Sequence, residues 1–365
     1  MNEGPIKRHW SLAPATFIYK MVTGVRNKLF DWKILPSEEF DLPVISVGNL
    51  TVGGTGKTPH TEYLIRLLKD RSKIALLSRG YKRKTKGFRL ATPSSTSLEI
   101  GDEPYQIKTK FPEIHVAVDA DRRHGIHQLC AEEASNDVEV VILDDAFQHR
   151  YVRPSINIVL MDYNRPIYED ALMPTGMLRE PASSLDRAHI VIVTKCPQDI
   201  RPIDFRVVAK NLELRPYQQL FFTTFKYGEL RAFAAPNEQK PLSSLALHTH
   251  ILLVTGIASA EPLIARLRQH TQQITHMEYG DHHDFTRAEL RDIKKTFDSI
   301  TASEKIIITT EKDAARLSAY PIDESISSNL YVLPIEVEFL QNQQETFNNY
   351  ITDYVSKNSR NRIVH

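Results

Sequence analysis

The chain has 365 residues, 41% apolar and 25% charged, the balance of a soluble-type globular protein with room for two domains. A net charge of +1 argues against a protein that grips nucleic acid through bulk positive charge, so no nucleic-acid partner is expected. The two cysteines, Cys130 and Cys196, stand far apart, which suggests neither a disulfide framework nor a zinc site and fits a reducing compartment.

Residues 1–40 read as a segment of their own, built on a basic amphipathic helix. Counting from Pro14, the residues Phe17, Ile18, Met21, Val22, Val25 and Leu29 fall on one helical face, while Lys20, Arg26, Lys28 and Lys33 supply positive charge. The uncharged run from His9 to Tyr19 is far shorter than the roughly 20 residues a spanning helix needs. Such a helix either lies in a membrane interface or packs its apolar face on its own domain, and the local sequence leaves both open. No secretory signal pattern is apparent.

From Val44 to Leu68 the sequence VISVGNLTVGGTGKTPHTEYLIRLL passes from a β-branched apolar run through Gly53, Gly54 and Gly56 to Lys57-Thr58. It ends in a helical spacing of Tyr63, Leu64, Leu67 and Leu68. Strand, glycine-rich turn and helix opening on Lys-Thr make a phosphate-binding loop. Glycines let successive backbone N–H groups converge on phosphate oxygens at the positive end of a helix. Lys57 can then reach the β- and γ-phosphates, and Thr58 can offer its hydroxyl to Mg²⁺. Where the usual pattern has its first glycine, this chain has Thr51.

Further strands are expected at 73–78, 115–118, 138–143, 156–161 and 190–194, alternating with helices, which implies a parallel sheet with ligands at the C-terminal strand edges. The first of these runs into Arg79–Arg89, a loop with six basic residues and no acidic one, suited to an anionic substrate or simply solvated. Gly101-Asp102-Glu103-Pro104 opens a helix. Locally, Asp102 and Glu103 read first as capping acids, with a general-base role for Asp102 the sharper alternative. Asp144-Asp145 follows the most hydrophobic strand of this half, where such folds keep the acids of a Mg²⁺ shell. Two adjacent carboxylates there repel each other unless a cation is near. Thr194–Asp199 is weakly similar to the base-reading loop of GTPases, so a nucleotide-dependent switch is the rival reading, separable by ATP against GTP affinity.

Beyond about Gln218 a second α/β unit is expected, with strands at 220–225, 251–255, 274–279 and 305–309. The expected organisation is a phosphate-loop domain at 41–217 and a smaller α/β domain at 218–365. Two polar segments there, Gly280–Phe285 and Thr310–Ala315, each lie just past a strand. Adjacent histidines at 282 and 283 project poorly toward one metal ion, so a single histidine orienting a carboxylate is the more economical reading.

Taken together, VGNLTVGGTGKTP, SRGY, GDEP, DDAFQH, LMPTGMLRE, the DHH segment and TEKDA occur in the order found in the tetraacyldisaccharide 4′-kinases of lipid A biosynthesis, a family the chain resembles over nearly its whole length. The resemblance implies transfer of the ATP γ-phosphate to the 4′-hydroxyl of an acylated glucosamine disaccharide 1-phosphate, at the cytoplasmic face of the inner membrane. It implies that Thr51, Val52, Gly53, Gly54, Thr55, Gly56, Lys57 and Thr58 bind ATP, and that Asp102 is the base, paired with His282. Thr58, Glu103, Asp144 and Asp145 would hold or surround Mg²⁺. Arg79, Tyr81 and Arg122 would meet substrate or transferring phosphate, and the N-terminal helix would dock on the membrane. Lys82-Arg83 stands where glycines are expected after SRGY.

Overall fold

The computed structural model describes residues 9–235, 237–257, 259–280, 283–318 and 320–359. The expected partner of Asp102, His282, and its neighbour Asp281 lie outside the described residues, as do residues 1–8 of the N-terminal segment.

The chain lays down β1 (Val44–Asn49), β2 (Ile74–Ser78), β3 (Arg89–Leu90), β4 (His115–Val118), β5 (Val140–Asp144), β6 (Ile156–Asp162), β7 (Ile190–Thr194) and β8 (Gln219–Tyr227). It then builds β9 (Leu230–Ala232), β10 (Gln239–Lys240), β11 (His250–Thr255), β12 (Ile274–Glu278), β13 (Lys305–Thr310) and β14 (Leu330–Leu333), and returns as β15 (Ile335–Phe339). Among the described residues the larger sheet has nine strands in the order β15-β8-β7-β6-β1-β5-β2-β4-β3. Its centre is parallel, as the sequence implies, but β3 and β15 run antiparallel at the two edges. The second sheet has, among the described residues, six strands in the order β10-β9-β14-β13-β11-β12.

Sheet membership does not follow the expected boundary at residue 217. Strands β8 and β15 and the helix Gln344–Ser359 belong to the larger unit, so the second sheet is an insertion between β8 and β15. The reason is pattern. Phe221, Phe222 and Phe225 make β8 apolar enough to continue the larger sheet beside β7, and β15 covers the edge that β8 would otherwise leave open.

Strand β1 is buried along its whole length and pairs in parallel with β5 on one side and β6 on the other. In this register Val47 faces Asp144 across the β1–β5 pair, which sets the acid beside the glycine loop. Helices cover both faces of the sheet. Leu64, Ile65 and Leu68 of the helix Lys57–Leu68 pack with Ile45, Val47 and Ile142 on one face. Ile126 and Leu129 of the helix Arg122–Ala131 pack with Ala75, Leu77 and Val141 on the other. Each such fully buried aliphatic side chain stabilises by about 1.5–3 kcal/mol relative to exposure.

Residues Ala13–Asp31 form the expected helix. Phe17, Ile18, Met21, Val22 and Val25 lie on it at 56–64% exposure, while Phe30 is buried and Leu29 half-buried. The helix is fastened to its own domain by polar contacts: Tyr19 OH donates to the Arg179 carbonyl at 2.8 Å, and Thr16 and Thr175 share a 2.6 Å hydroxyl contact. Among the described residues no helix is long and apolar enough to cross a membrane.

Candidate active site

The turn after β1 is held in one shape. Gly56 precedes the helix Lys57–Leu68 with φ +86°, a conformation costly to any residue with a Cβ, and a Cβ there would come within 2.6 Å of the Phe225 ring. Asn49 Nδ2 donates to Thr55 Oγ1 at 2.9 Å, and Thr194 Oγ1, at the end of β7, donates to the Thr55 carbonyl at 2.9 Å. The Val52 N–H donates to the Met177 carbonyl at 2.8 Å and the Arg179 N–H to that of Leu50 at 2.7 Å, so the segment 172–180 lies along the turn. One helical turn on, His60 bridges the Gly56 carbonyl (2.8 Å) and Thr223 Oγ1 (3.0 Å). Burial pushes its imidazole down to about 4, so it is neutral near pH 7.

At the mouth of this turn, Lys57 Nζ stands 3.5 Å from Asp145 Oδ1, and Arg179 Nη1 donates to both Asp145 oxygens at 3.1 Å. Burial alone would raise the Asp145 carboxyl, but Lys57 and then Arg179 outweigh it and hold it below its ordinary range. Its neighbour behaves in the opposite way. Burial, then the charges of Glu103 and Asp145, push the Asp144 carboxyl up to about 7. Ser78 Oγ donates to Asp144 Oδ2 at 3.4 Å, and Asp144 Oδ1 has no hydrogen-bond partner among the described residues. The adjacent aspartates thus have separate tasks: Asp145 is engaged by two cations, while Asp144 presents a buried oxygen in a negative neighbourhood.

Arg122 is buried at the start of its helix. Its Nη1 donates to the Ala120 carbonyl at 2.9 Å and its Nη2 to that of Asp145 at 3.4 Å. Burial, then the nearby Arg79, lowers its pKa, the sign of positive charge concentrated beside the acids. Arg79 and Tyr81 are exposed. Arg83 of the same basic loop is half-buried, its Nη1 donating to the Val118 carbonyl at 3.4 Å and its Nη2 to that of Gly87 at 2.7 Å. The charge run is thus partly structural.

Asp102 and Glu103 begin the helix Asp102–Lys110, and both face the second unit. Arg316 Nε donates to Asp102 Oδ2 at 3.0 Å, and Lys312 Nζ stands 3.5 Å from Glu103 Oε1. Neither cation is foreseen from the sequence, although Lys312 lies within the polar segment it marks and Arg316 just past it.

The acids suit a Mg²⁺ ion. The partnerless buried oxygen of Asp144, its raised carboxyl and the nearby Glu103 describe a place where a divalent cation would relieve an unfavourable field. Among the described residues no group of three or more His, Cys, Asp or Glu side chains gathers as a cage. Mg²⁺ bound by one or two carboxylates together with phosphate oxygens needs none.

Loop, helix and strand-end acids in this arrangement are those of a phosphate-loop nucleotide-using enzyme, the class that fold and site define. The chain belongs to the LpxK family, tetraacyldisaccharide-1-P 4′-kinase, whose model matches residues 8–356. It is 57% identical over 362 residues to a tetraacyldisaccharide 4′-kinase of Phocaeicola vulgatus, covering 99% of each chain, and 52% identical over 370 residues to one of Bacteroides thetaiotaomicron, covering 99% and 97%. Among solved structures, LpxK from Aquifex aeolicus in complex with ATP is 29% identical, with a TM-score of 0.72 over 93% of this chain and 98% of that one.

Proposed function

We propose a division of labour by which this chain performs the reaction of its family, transfer of the ATP γ-phosphate to the 4′-hydroxyl of a tetraacylated glucosamine disaccharide 1-phosphate in lipid A biosynthesis. The observation that carries it is the meeting of Lys57, Asp145, Asp144 and Glu103 at the end of the glycine turn. Backbone N–H groups of Gly53, Gly54 and Gly56, with the start of the helix behind them, cradle the nucleotide's phosphates, while Thr51, Val52 and Thr55 shape the turn. Lys57, aimed by Asp145, spreads the charge that develops on the transferring group. Thr58, Glu103 and Asp144 would hold Mg²⁺, with Asp145 bordering them. When bound, the ion neutralises β- and γ-phosphate oxygens.

Asp102 accepts the proton of the 4′-hydroxyl as the new O–P bond forms, and the bond from the γ-phosphorus to its bridging oxygen breaks to release ADP. Arg122 and Arg79 supply further positive charge, with Tyr81 beside the acceptor. The pairing of Asp102 with His282 rests on the family resemblance. The exposed apolar face of Ala13–Asp31, flanked by Lys20 and Lys28, supports docking in the cytoplasmic face of the inner membrane, where an acylated acceptor resides.

The test is incubation of the full chain with radiolabelled ATP, Mg²⁺ and acylated disaccharide 1-phosphate in detergent, followed by chromatography of the lipid. Label in the lipid supports the reading, and Asp102→Asn should lower the rate far more than it weakens ATP binding. Transfer to water alone, or equal losses in rate and affinity, would overturn it.

A further inference from the structure

The helix bearing Asp102 is gripped along its length by one helix of the inserted unit, Glu311–Leu317. At its start Arg316 holds Asp102 and Lys312 faces Glu103. At its end Lys110 Nζ lies 2.6 Å from Glu311 Oε1. Of these contacts, that of Arg316 is built most deeply. Its side chain is 3% exposed, against 22% for Asp102. Its Nη1 donates to Asp313 Oδ1 at 3.0 Å and to the Gly256 carbonyl at 3.2 Å. Asp313 is fully buried and is itself fixed by the Gly256 N–H at 3.0 Å and the Thr310 hydroxyl at 2.7 Å. The planar guanidinium therefore cannot follow Asp102; Asp102 must come to it.

We propose that Arg316 is a positioning residue for phosphoryl transfer, orienting the Asp102 carboxylate from the inserted unit so that the proton acceptor is set only when the two units are docked. This rests on the reading of Asp102 as base. With Oδ2 taken by Arg316, the carboxylate can turn only about that bond, which presents Oδ1 to an incoming hydroxyl. Loss of this constraint frees a side chain that must be placed to within about 1 Å, an error of the size that costs roughly a hundredfold in rate.

The experiment compares kcat and KM for ATP and for the acylated disaccharide in the wild type, Arg316→Met, Arg316→Lys, Asp102→Asn and the double variant Asp102→Asn/Arg316→Met. Thermal melting and binding of a non-hydrolysable ATP analogue serve as checks on the fold. The expected result is a fall in kcat of about a hundredfold for Arg316→Met with either KM changed less than about threefold, partial recovery in Arg316→Lys, and a double variant no slower than Asp102→Asn alone. Losses that multiply in the double variant, or an unchanged kcat in Arg316→Met, would overturn the positioning role while leaving Asp102 as base. Near-normal kcat in Asp102→Asn would remove the base reading and this proposal with it. If Arg316→Met does not fold, Asp313→Asn/Arg316→Gln, which removes both buried charges, is measured against the same outcomes.

Discussion

Lys57 and Asp145 meet at 3.5 Å across the mouth of the glycine turn, and the same carboxylate takes both its bonds from Arg179. Asp145 thereby spaces two cations that would otherwise repel each other. Lys57→Met should lower kcat/KM by about 10²–10³-fold. Asp145→Asn should fall in the same direction, because Lys57 loses its aim. Steady-state kinetics with saturating lipid checks both.

The turn itself tolerates no side chain at Gly56. Gly56→Ala would place a methyl group 2.6 Å from Phe225 in a backbone region that L-residues avoid. The expected outcome is loss of nucleotide binding, by calorimetric titration with ATP, and a loss of stability of about 1–3 kcal/mol, since the strain is local.

Asp144 gives the chain a pH signature. Its folded carboxyl sits at about 7, above the roughly 3.9 of an unfolded chain. The folded state therefore holds an extra proton between those values. Its stabilising contribution is complete below about pH 4 and is lost as pH rises through about 7. Asp144→Asn should thus gain Tm relative to the wild type as pH is raised from 4 to 7 in metal-free buffer, at up to roughly 1.4 kcal/mol per unit. A constant difference in Tm across that range would contradict it.

Lys110 lies 2.6 Å from Glu62 of the turn helix and 2.6 Å from Glu311 of the inserted unit, and Arg231 also pairs with Glu311. Glu62 is almost fully buried. Lys110→Met leaves it, among the described residues, with Arg66 and Gln106, at an expected cost of about 3 kcal/mol. Adding Glu62→Gln should recover part of that loss in thermal melts.

The N-terminal helix exposes Phe17, Ile18, Met21, Val22 and Val25 at 56–64%. The proposed docking predicts that the wild type floats with anionic vesicles and that Phe17→Asp/Val22→Asp does not, with Tm unchanged to within about 1 °C because both side chains are largely exposed.

The glycine turn, Lys57-Thr58, the buried strands and the acids at their ends are legible in the sequence because each is a local pattern, complete within a dozen residues. The ion pair between Asp102 and Arg316 is not. Arg316 reaches Asp102 from 214 residues away, and no local rule pairs an arginine in one helix with the first turn of another. Strands β3 and β10, two residues each, are too short to show a period. The helix Gln344–Ser359 hides its buried stripe of Phe347, Ile351 and Val355 among Asn, Gln, Tyr and Ser. The 41–217 boundary misplaces β8 and β15 for a related reason: which sheet a strand joins is decided by its neighbours' edges.

The return of the chain as β15 has a bearing on biosynthesis. Phe339 and Phe347 meet Tyr63 of the turn helix and Phe221 of β8 in tilted and edge-on contacts, so residues from the last thirty of the described chain seal a core begun near residue 45. A ribosome-bound nascent chain cannot complete its nucleotide-binding half until the inserted unit has already emerged. A premature stop before residue 344 would leave that aromatic cluster open to solvent and mark the product for proteolysis.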